Sequence, residues 1–509
     1  MYSSIKTALL DGINTVPVIV EVDINTGLPM FDMVGNLAPE VREAKERVKT
    51  ALHNCGIIIP PKRITVNMIP ANIRKNGTGF DLPIAIALLI GLGVIAEEKC
   101  KDIVFVGELS LNGQINPVKG ILPIVSDAVC RGVKTFILSN QNRNEAKLIA
   151  EAEVYSFDNL WQIINFLNDG TYEEKVTENI TSQIEKISDF SEINGQKYLK
   201  RTCEVAASGM HNILMIGPPG AGKTMIAERL PSIMPALTES EKLELSKIYS
   251  ICGLLDNTTT LLSKRPFRSP HHSVTNAGLV GGGIDLKPGE ISLAHNGVLF
   301  LDELTEFKRD TIEVLRQPME ERKIHLTRNN KSTVYPSDFL LVTAMNPCKC
   351  GYFPDMQKCR CSENSRRNYL GKISQPLLDR IDLCVSAETL SYKDLVTKQQ
   401  NESSEKIRER VIKTHNIQIE RYKEEKFNYN SQIPSDKIEK YCHLTEDLRI
   451  YMEEIYEQKM LTARTYHKIL RVARTIADMA EKPQIELNDL KEAVSYRSAN
   501  DKFWGGIIS

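Results

Sequence analysis

One junction constrains this chain more than any other: the apolar run 212–216 leads directly into Gly217, Pro218, Pro219, Gly220, Ala221, Gly222, Lys223 and Thr224, and then into a helical run from Met225. The pattern G-x-x-x-x-G-K-[ST], with a strand before it and a helix after it, describes a turn whose backbone N–H groups wrap a phosphate. Small residues are needed so that the backbone can close on the phosphate, and the helix N-terminus adds its positive end. Lys223 is expected to reach the β and γ oxygens of a nucleotide, and Thr224 to ligate Mg²⁺. A strand entering such a turn belongs to a βα unit, so an α/β core with a parallel sheet is expected.

Two further apolar runs fit that sheet. Val298, Leu299, Phe300 and Leu301 end in Asp302 and Glu303, as a central strand does when it delivers carboxylates to its C-terminal edge. Asp302 is expected to hold Mg²⁺ through water and Glu303 to orient and activate the attacking water; a helix-capping acid pair is the plainer reading. Residues 338–343 lead to Asn346, whose amide is expected beside the γ-phosphate; a turn-forming Asn-Pro is the alternative.

At 509 residues the chain is too long for one core, and its 42% hydrophobic and 25% charged residues match globular proteins. With 64 basic against 65 acidic side chains, any polyanion site must be local. The stretch 82–96 contains Pro83 and Gly91 and is shorter than the roughly 18–20 residues that span a bilayer, so a buried helix and no membrane partner are expected. The first residues are unlike a secretory leader, which suggests the cytoplasm.

The organisation reads as an α+β unit over 1–168, a polar linker over 169–193, the nucleotide-binding core over 194–390 and a helical lid over 391–509. Strands are expected over 16–24, 64–68, 103–106 and 133–138, and lid helices over 405–425, 436–457 and 462–480. Eleven cysteines without a secretory leader argue for thiols or metal ligands rather than disulfides. Cys348, Cys350, Cys359 and Cys361 suit a tetrahedral, structural Zn²⁺, with free thiols as the alternative.

These motifs resemble the AAA+ ATPases. The phrases Gly195-Gln196, Phe267-Arg268-Ser269-Pro270-His271-His272, Gly281-Gly282-Gly283, the run 288–295 and Leu377-Leu378-Asp379-Arg380-Ile381-Asp382 resemble the magnesium-chelatase-like ATPases of the bacterial ComM/YifB type along essentially the whole chain. That resemblance implies ATP and Mg²⁺ as cofactors, with Gln196 at the nucleotide site. It implies a homo-hexameric ring in which Arg380 is the arginine finger reaching a neighbour's γ-phosphate. Arg464 would be a second sensor closing over the nucleotide of its own subunit. The implied function is a DNA helicase or branch-migration motor on recombination intermediates; a metal-chelatase motor subunit and a protein-remodelling ring are the alternatives.

Residues 80–93, 107–115 and 117–138 resemble the Lon-protease-like domain, of the ribosomal S5-like fold, which is also found in RadA-type recombination ATPases. A peptidase of that type needs a Ser nucleophile and a Lys base. Here the matching positions read Thr78-Gly79-Phe80-Asp81 and Gly120-Ile121-Leu122-Pro123, so the dyad is expected to be missing, with Thr78 and Lys119 as the nearest stand-ins. For single-stranded or branched DNA, Arg268, His271 and His272 form one candidate contact. Arg328 and Lys331 form another, on a hairpin expected to turn at Asn329-Asn330; a solvated hairpin is the alternative.

Overall fold

A computed structural model of the protein describes residues 1–174, 188–255, 260–328, 331–388 and 401–504. The N-terminal unit is built on a seven-stranded mixed sheet. Its strands are β1 (Tyr2–Asp11), β2 (Asn14–Asn25), β3 (Met30–Val34), β4 (Arg63–Ile69), β5 (Ile103–Val106), β6 (Thr135–Ser139) and β7 (Glu153–Phe157), in the order β3-β4-β2-β1-β5-β6-β7. β1 and β2 form an antiparallel hairpin in which Ile5 faces Val20, while β5, β6 and β7 run parallel. One face carries α1 (Pro39–Asn54) and α2 (Asp81–Gly91), and every residue of α2 is buried, as an apolar run too short for a bilayer requires. The other face packs against α3 (Ile121–Cys130) through Ile121, Ile124 and Val125. No helix among the described residues is long and apolar enough to cross a membrane.

The expected strands over 16–24, 64–68, 103–106 and 133–138 fall within or across β2, β4, β5 and β6. The linker is shorter than 169–193. Tyr172 packs edge-on to Tyr155 at 5.1 Å and Phe157 at 5.5 Å, past α4 (Leu160–Asp169), so it belongs to the first unit. At the other end Phe190 and Ile193 are buried in the core of the second unit, and Asp189 accepts from the backbone N–H of Ser404. Residues 175–187 lie outside the described residues, as does the expected boundary at 390–391.

The second unit has a five-stranded, all-parallel sheet. Its elements are α5 (Lys197–Gly209), β8 (Ile213–Ile216), α6 (Lys223–Ile233), α7 (Glu239–Cys252), β9 (Phe267–Arg268) and β10 (Val298–Leu301), then a hairpin of β11 (Lys323–Arg328) and β12 (Lys331–Pro336), β13 (Leu340–Met345) and β14 (Leu383–Ser386). The order is β9-β10-β13-β8-β14, which brings the C-terminal ends of β8, β10 and β13 side by side. All residues of those three strands are buried, the signature of a sheet covered on both faces.

The C-terminal region is helical, as expected, and packs on the core of the second unit. α8 (Ser404–Tyr422) and α10 (Ala463–Met479) both pack on α5, and Val411, Ile469 and Ile476 share one core with Ile213 and Val342 of the sheet. The helix expected over 436–457 is interrupted: a short turn at Ile438–Tyr441 precedes α9 (Glu446–Gln458), whose N-cap is Thr445. Beyond α11 (Leu487–Ser495), α12 (Ser498–Trp504) returns to the sheet, burying Phe503 and Trp504. α3 meets α7 across the junction of the two units, where Gly120 N–H donates to Ser250 O at 3.1 Å and Lys247 pairs with Asp127 at 2.9 Å.

Candidate nucleotide site

The apolar strand β8 ends at a turn that only glycine could make. A Cβ on Gly217 would lie 2.5 Å from the carbonyl oxygen of Ala387, and Gly222 has φ +78 with open space before it, where a phosphate can approach the backbone. The turn faces a cleft of about 390 Å³ lined by Pro219, Gly220, Ala221, Gly222, Lys223, Thr224, Asp302, Glu303 and Asn346. Lys223 opens α6, where the helix N-terminus favours anions. Its ammonium donates to Gly217 O at 2.8 Å and Pro218 O at 3.0 Å, and lies 3.4 Å from Asn346 Oδ1. Burial draws this ammonium below the usual lysine range, opposed by the carboxylates of Asp302 and Glu303. An anion in the cleft would stabilise the charge that burial disfavours.

Thr224 Oγ1 donates to Asp302 Oδ2 at 2.8 Å. Two hard oxygens at this corner fit Mg²⁺, which takes few protein ligands and fills its octahedron with water and phosphate oxygens. Glu303, one residue beyond, has φ +51, a left-handed backbone that costs a non-glycine residue roughly 1 kcal/mol or more. That conformation turns its carboxylate off the strand end, where 57% of the side chain remains exposed and can meet water. His272 Nδ1 lies 3.8 Å from Glu303 Oε2, with the His271 ring 3.9 Å from that of His272. Gln196 is placed on the same turn by a left-handed backbone, and its amide donates to Ala221 O at 3.0 Å and Glu388 O at 2.6 Å.

A strand end bearing Asp302-Glu303 beside a glycine turn is common to many nucleotide hydrolases; the rest of the chain decides which kind. Family models for magnesium chelatase subunit ChlI match residues 20–142 and 189–395, and one for its C-terminal region matches 401–497. The competence protein ComM of Haemophilus influenzae is 39% identical over 495 residues, covering 96% of each chain. The protein YifB of Escherichia coli is 38% identical over 500 residues, covering 97% of each. The chain belongs to the ComM/YifB family of magnesium-chelatase-like proteins. Its second unit is accordingly a domain of the AAA+ ATPase type. Lon protease 2 of Bacillus subtilis is 27% identical over 239 residues, 41% of this chain.

Arg380, expected to reach a neighbour's nucleotide, and Arg464, expected over its own, both stand apart from the glycine turn. Arg380 Nη2 pairs with Glu320 at 2.6 Å and Nη1 donates to Pro376 O at 2.7 Å. Arg464, exposed at the first turn of α10, lines a cavity of about 610 Å³ together with Arg380, Lys468 and Arg471. None of the glycine-turn residues lines that cavity. α10 packs on α5, and this sets Arg464 on the side where Arg380 lies, apart from the glycine turn over which it is expected to close.

The expected DNA contacts also part company. Arg268 is half-buried and pairs bidentately with Glu290 at 2.7 and 2.8 Å. His272 stands beside Glu303 of the cleft, with the His271 ring against it, as described. Arg328 is exposed at the end of β11, whereas Asn329 and Asn330 and the Lys331 side chain lie outside the described residues. Cys348, Cys350, Cys359 and Cys361 converge, all four sulfurs lying within 4.8 Å of one another. In the N-terminal unit Thr78 and Lys119 line one cavity of about 530 Å³ with Tyr335 of the motor, and the Thr78 hydroxyl donates to Glu108. Asp81 is buried and bonded to Arg47 at 2.7 Å and to the backbone of Leu109 at 3.2 Å.

His272 beside Glu303 is the site residue that sequence reasoning assigned to another role. The signal lay in chain order: the loop after β9 must run past the end of β10, because the two strands are parallel neighbours.

Proposed function

We propose that this protein is a ring-forming, ATP-driven motor that moves along DNA and migrates branches in recombination intermediates. The observation that carries the ring is the separation of Arg380 and Arg464 from the cleft of their own subunit. Arginines that compensate phosphate charge must reach it, so these two serve a nucleotide held by a neighbouring copy. Within one subunit Lys223 and the glycine turn bind the phosphates, and Glu303 orients the attacking water, with His272 Nδ1 3.8 Å from its carboxylate. Thr224 and Asp302 would hold Mg²⁺, which when bound offsets phosphate charge. DNA as substrate is supported by the full-length similarity to a competence protein and by the exposed Arg328 on its hairpin. Six copies would close the ring.

The test is a labelled synthetic four-way junction mixed with protein, Mg²⁺ and ATP, with Lys223→Ala as control. Strand products should form only with ATP and only with the unaltered cleft. A chelatase motor subunit is the second reading, because the matching family models describe such subunits. ATP turnover raised by DNA supports the first reading; turnover raised only by a protein partner favours the second or a protein-remodelling ring.

A further inference from the structure

The four cysteines follow the candidate sensor Asn346 by only two residues, and their arrangement is that of a ligand set. Cys348 Sγ lies 3.3 Å from Cys350 Sγ and 3.7 Å from Cys359 Sγ, and Cys350 Sγ lies 3.6 Å from Cys359 Sγ. A disulfide would need about 2.05 Å, so these are separate sulfurs. Zn–S bonds of about 2.3 Å at tetrahedral angles set sulfurs about 3.8 Å apart, close to the spacings observed. A set this tight encloses one ion. Cys348 and Cys359 are buried, where four converging thiols gain little from one another as hydrogen-bond partners. Lys349 and Arg360, one inside each Cys-x-Cys pair, offset the net negative charge that four thiolates leave around a divalent ion.

The same turn touches the nucleotide cleft. Gly351, with φ +82, reverses the chain after the first pair, its N–H donating to Cys348 O at 3.0 Å. A Cβ on Gly351 would lie 2.5 Å from Pro219 Cδ, so the backbone of this turn rests directly on the phosphate-binding loop. In the other direction Cys348 is joined through Pro347 to Asn346, which meets Lys223 at 3.4 Å. On the far side the Arg366 guanidinium lies 4.4 Å over the Phe353 ring, which tethers the insertion to the helix Glu363–Leu370. The four thiols thus occupy a bracket with one arm on the glycine turn and one on the sensor residue.

We infer that Cys348, Cys350, Cys359 and Cys361 bind one zinc ion, and that this ion holds Asn346 and Pro219 in the geometry ATP hydrolysis requires. It is a positioning site: zinc touches neither nucleotide nor water. Its loss releases the sensor without removing Lys223 or the glycine turn, so ATP binding persists while turnover falls. The coupling rests on the reading of the cleft as an ATPase site; the metal site itself does not.

Protein purified under reducing conditions is assayed for metals by mass spectrometry, alongside Lys223→Ala, Cys359→Ser and Cys361→His. One zinc per chain is expected in the first two and in Cys361→His, which keeps four ligands, and less than half an equivalent in Cys359→Ser. Cobalt exchanged into the apo-protein should show the visible absorption of a tetrahedral thiolate site. Removing zinc should lower kcat about 10-fold while leaving the affinity for a fluorescent ATP analogue within about twofold, and added zinc should restore turnover. Less than half an equivalent of zinc in the unaltered protein, or iron in its place, overturns the site. Zinc bound with turnover indifferent to its removal overturns the coupling. Zinc bound in a protein that never hydrolyses ATP leaves the site standing and sinks the motor reading instead.

Discussion

The two units of this chain each set a lysine and a threonine beside a glycine turn, and only one pair is arranged for work on a ligand. At the motor cleft Lys223 rests on two backbone carbonyls and Thr224 on Asp302, partners that a triphosphate and a hydrated cation can replace. In the N-terminal unit the Thr78 hydroxyl is given to Glu108, a carboxylate that also accepts from Asn116 at 3.2 Å, while Lys119 lies against the backbone of Gly253 in the motor. A nucleophile needs a base that takes its proton and an open approach. Donors on replaceable partners facing an open cleft mark a site, whereas the same residue types held by a neighbouring carboxylate or against a neighbouring unit mark a joint.

The largest effect belongs to the motor pair. Lys223→Ala should abolish detectable ATP turnover and weaken nucleotide binding, whereas Glu303→Gln should keep binding and lower kcat about 10²-fold or more, because it removes the water-orienting charge alone. Equilibrium binding of a fluorescent ATP analogue with steady-state turnover separates the two. Equal loss of binding in both variants would erase the distinction between cradle and base. Next comes Arg380→Ala, expected to lower turnover about 10³-fold with nucleotide affinity kept. Mixing it with Glu303→Gln chains should restore part of the activity, since a mixed ring contains interfaces that combine an intact Arg380 with an intact Glu303. No recovery on mixing would return Arg380 to the role of a simple ion-pair partner of Glu320.

The motor cleft was legible because each of its parts is local in sequence: an apolar strand, glycines, then lysine and threonine, and a second apolar strand ending in two acids. What could not be read depended on partners far along the chain. Arg268 looked like a free cation, but its partner Glu290 stands 22 residues on and Glu303, beside His272, stands 31 residues on. β1 escaped notice because its inward positions alternate Ser3, Ile5, Thr7 and Leu9; Ser3 and Thr7 are buried, and the Ser3 hydroxyl is satisfied by Ala87 O at 2.7 Å, so half of its core face reads as polar. Phe190 and Ile193 were hidden in an acidic stretch that looks like a linker until one sees that two apolar side chains suffice to anchor it. Which nucleotide Arg464 serves depends on how α10 packs against α5, and no local pattern records that.

Acid should pull the two units in opposite directions. In the motor, His415 Nε2 lies 2.8 Å from Ala207 O and His211 Nε2 lies 2.7 Å from Thr475 Oγ1; burial draws both imidazoles down to about 4. The unfolded chain takes up protons on these residues near 6.5 and the folded chain only near 4, so folding stability is lost as pH falls through that window. Each histidine contributes on the order of 3 kcal/mol to that loss. In the N-terminal unit burial raises the Asp81 carboxyl despite Arg47, so there the folded state holds its proton to higher pH than the unfolded state and gains stability as pH falls. The two tryptophans report the units separately: Trp161 stands on α4, and Trp504 is buried against the motor sheet. Thermal unfolding of Trp161→Phe, followed by Trp504 emission, should lose stability steeply from pH 6.5 towards 4, and His415→Gln should flatten that slope. Parallel pH curves for the two reporters would break the contrast.

The smallest effect is the most pointed test of the contrast. Thr78→Ala removes a hydroxyl whose hydrogen bond ends on Glu108, and Glu108 keeps the Asn116 amide, so no buried charge is stranded. The change should cost about 1 kcal/mol or less, visible as a small fall in Tm, and should leave ATP turnover unchanged. Casein or peptide hydrolysis should be undetectable in both proteins. Hydrolysis present in the parent and lost in Thr78→Ala would mean that Glu108 activates the hydroxyl instead of occupying it. The cavity shared with Lys119 and Tyr335 would then be a second active site, fed across the same α3–α7 junction that ties it to the motor.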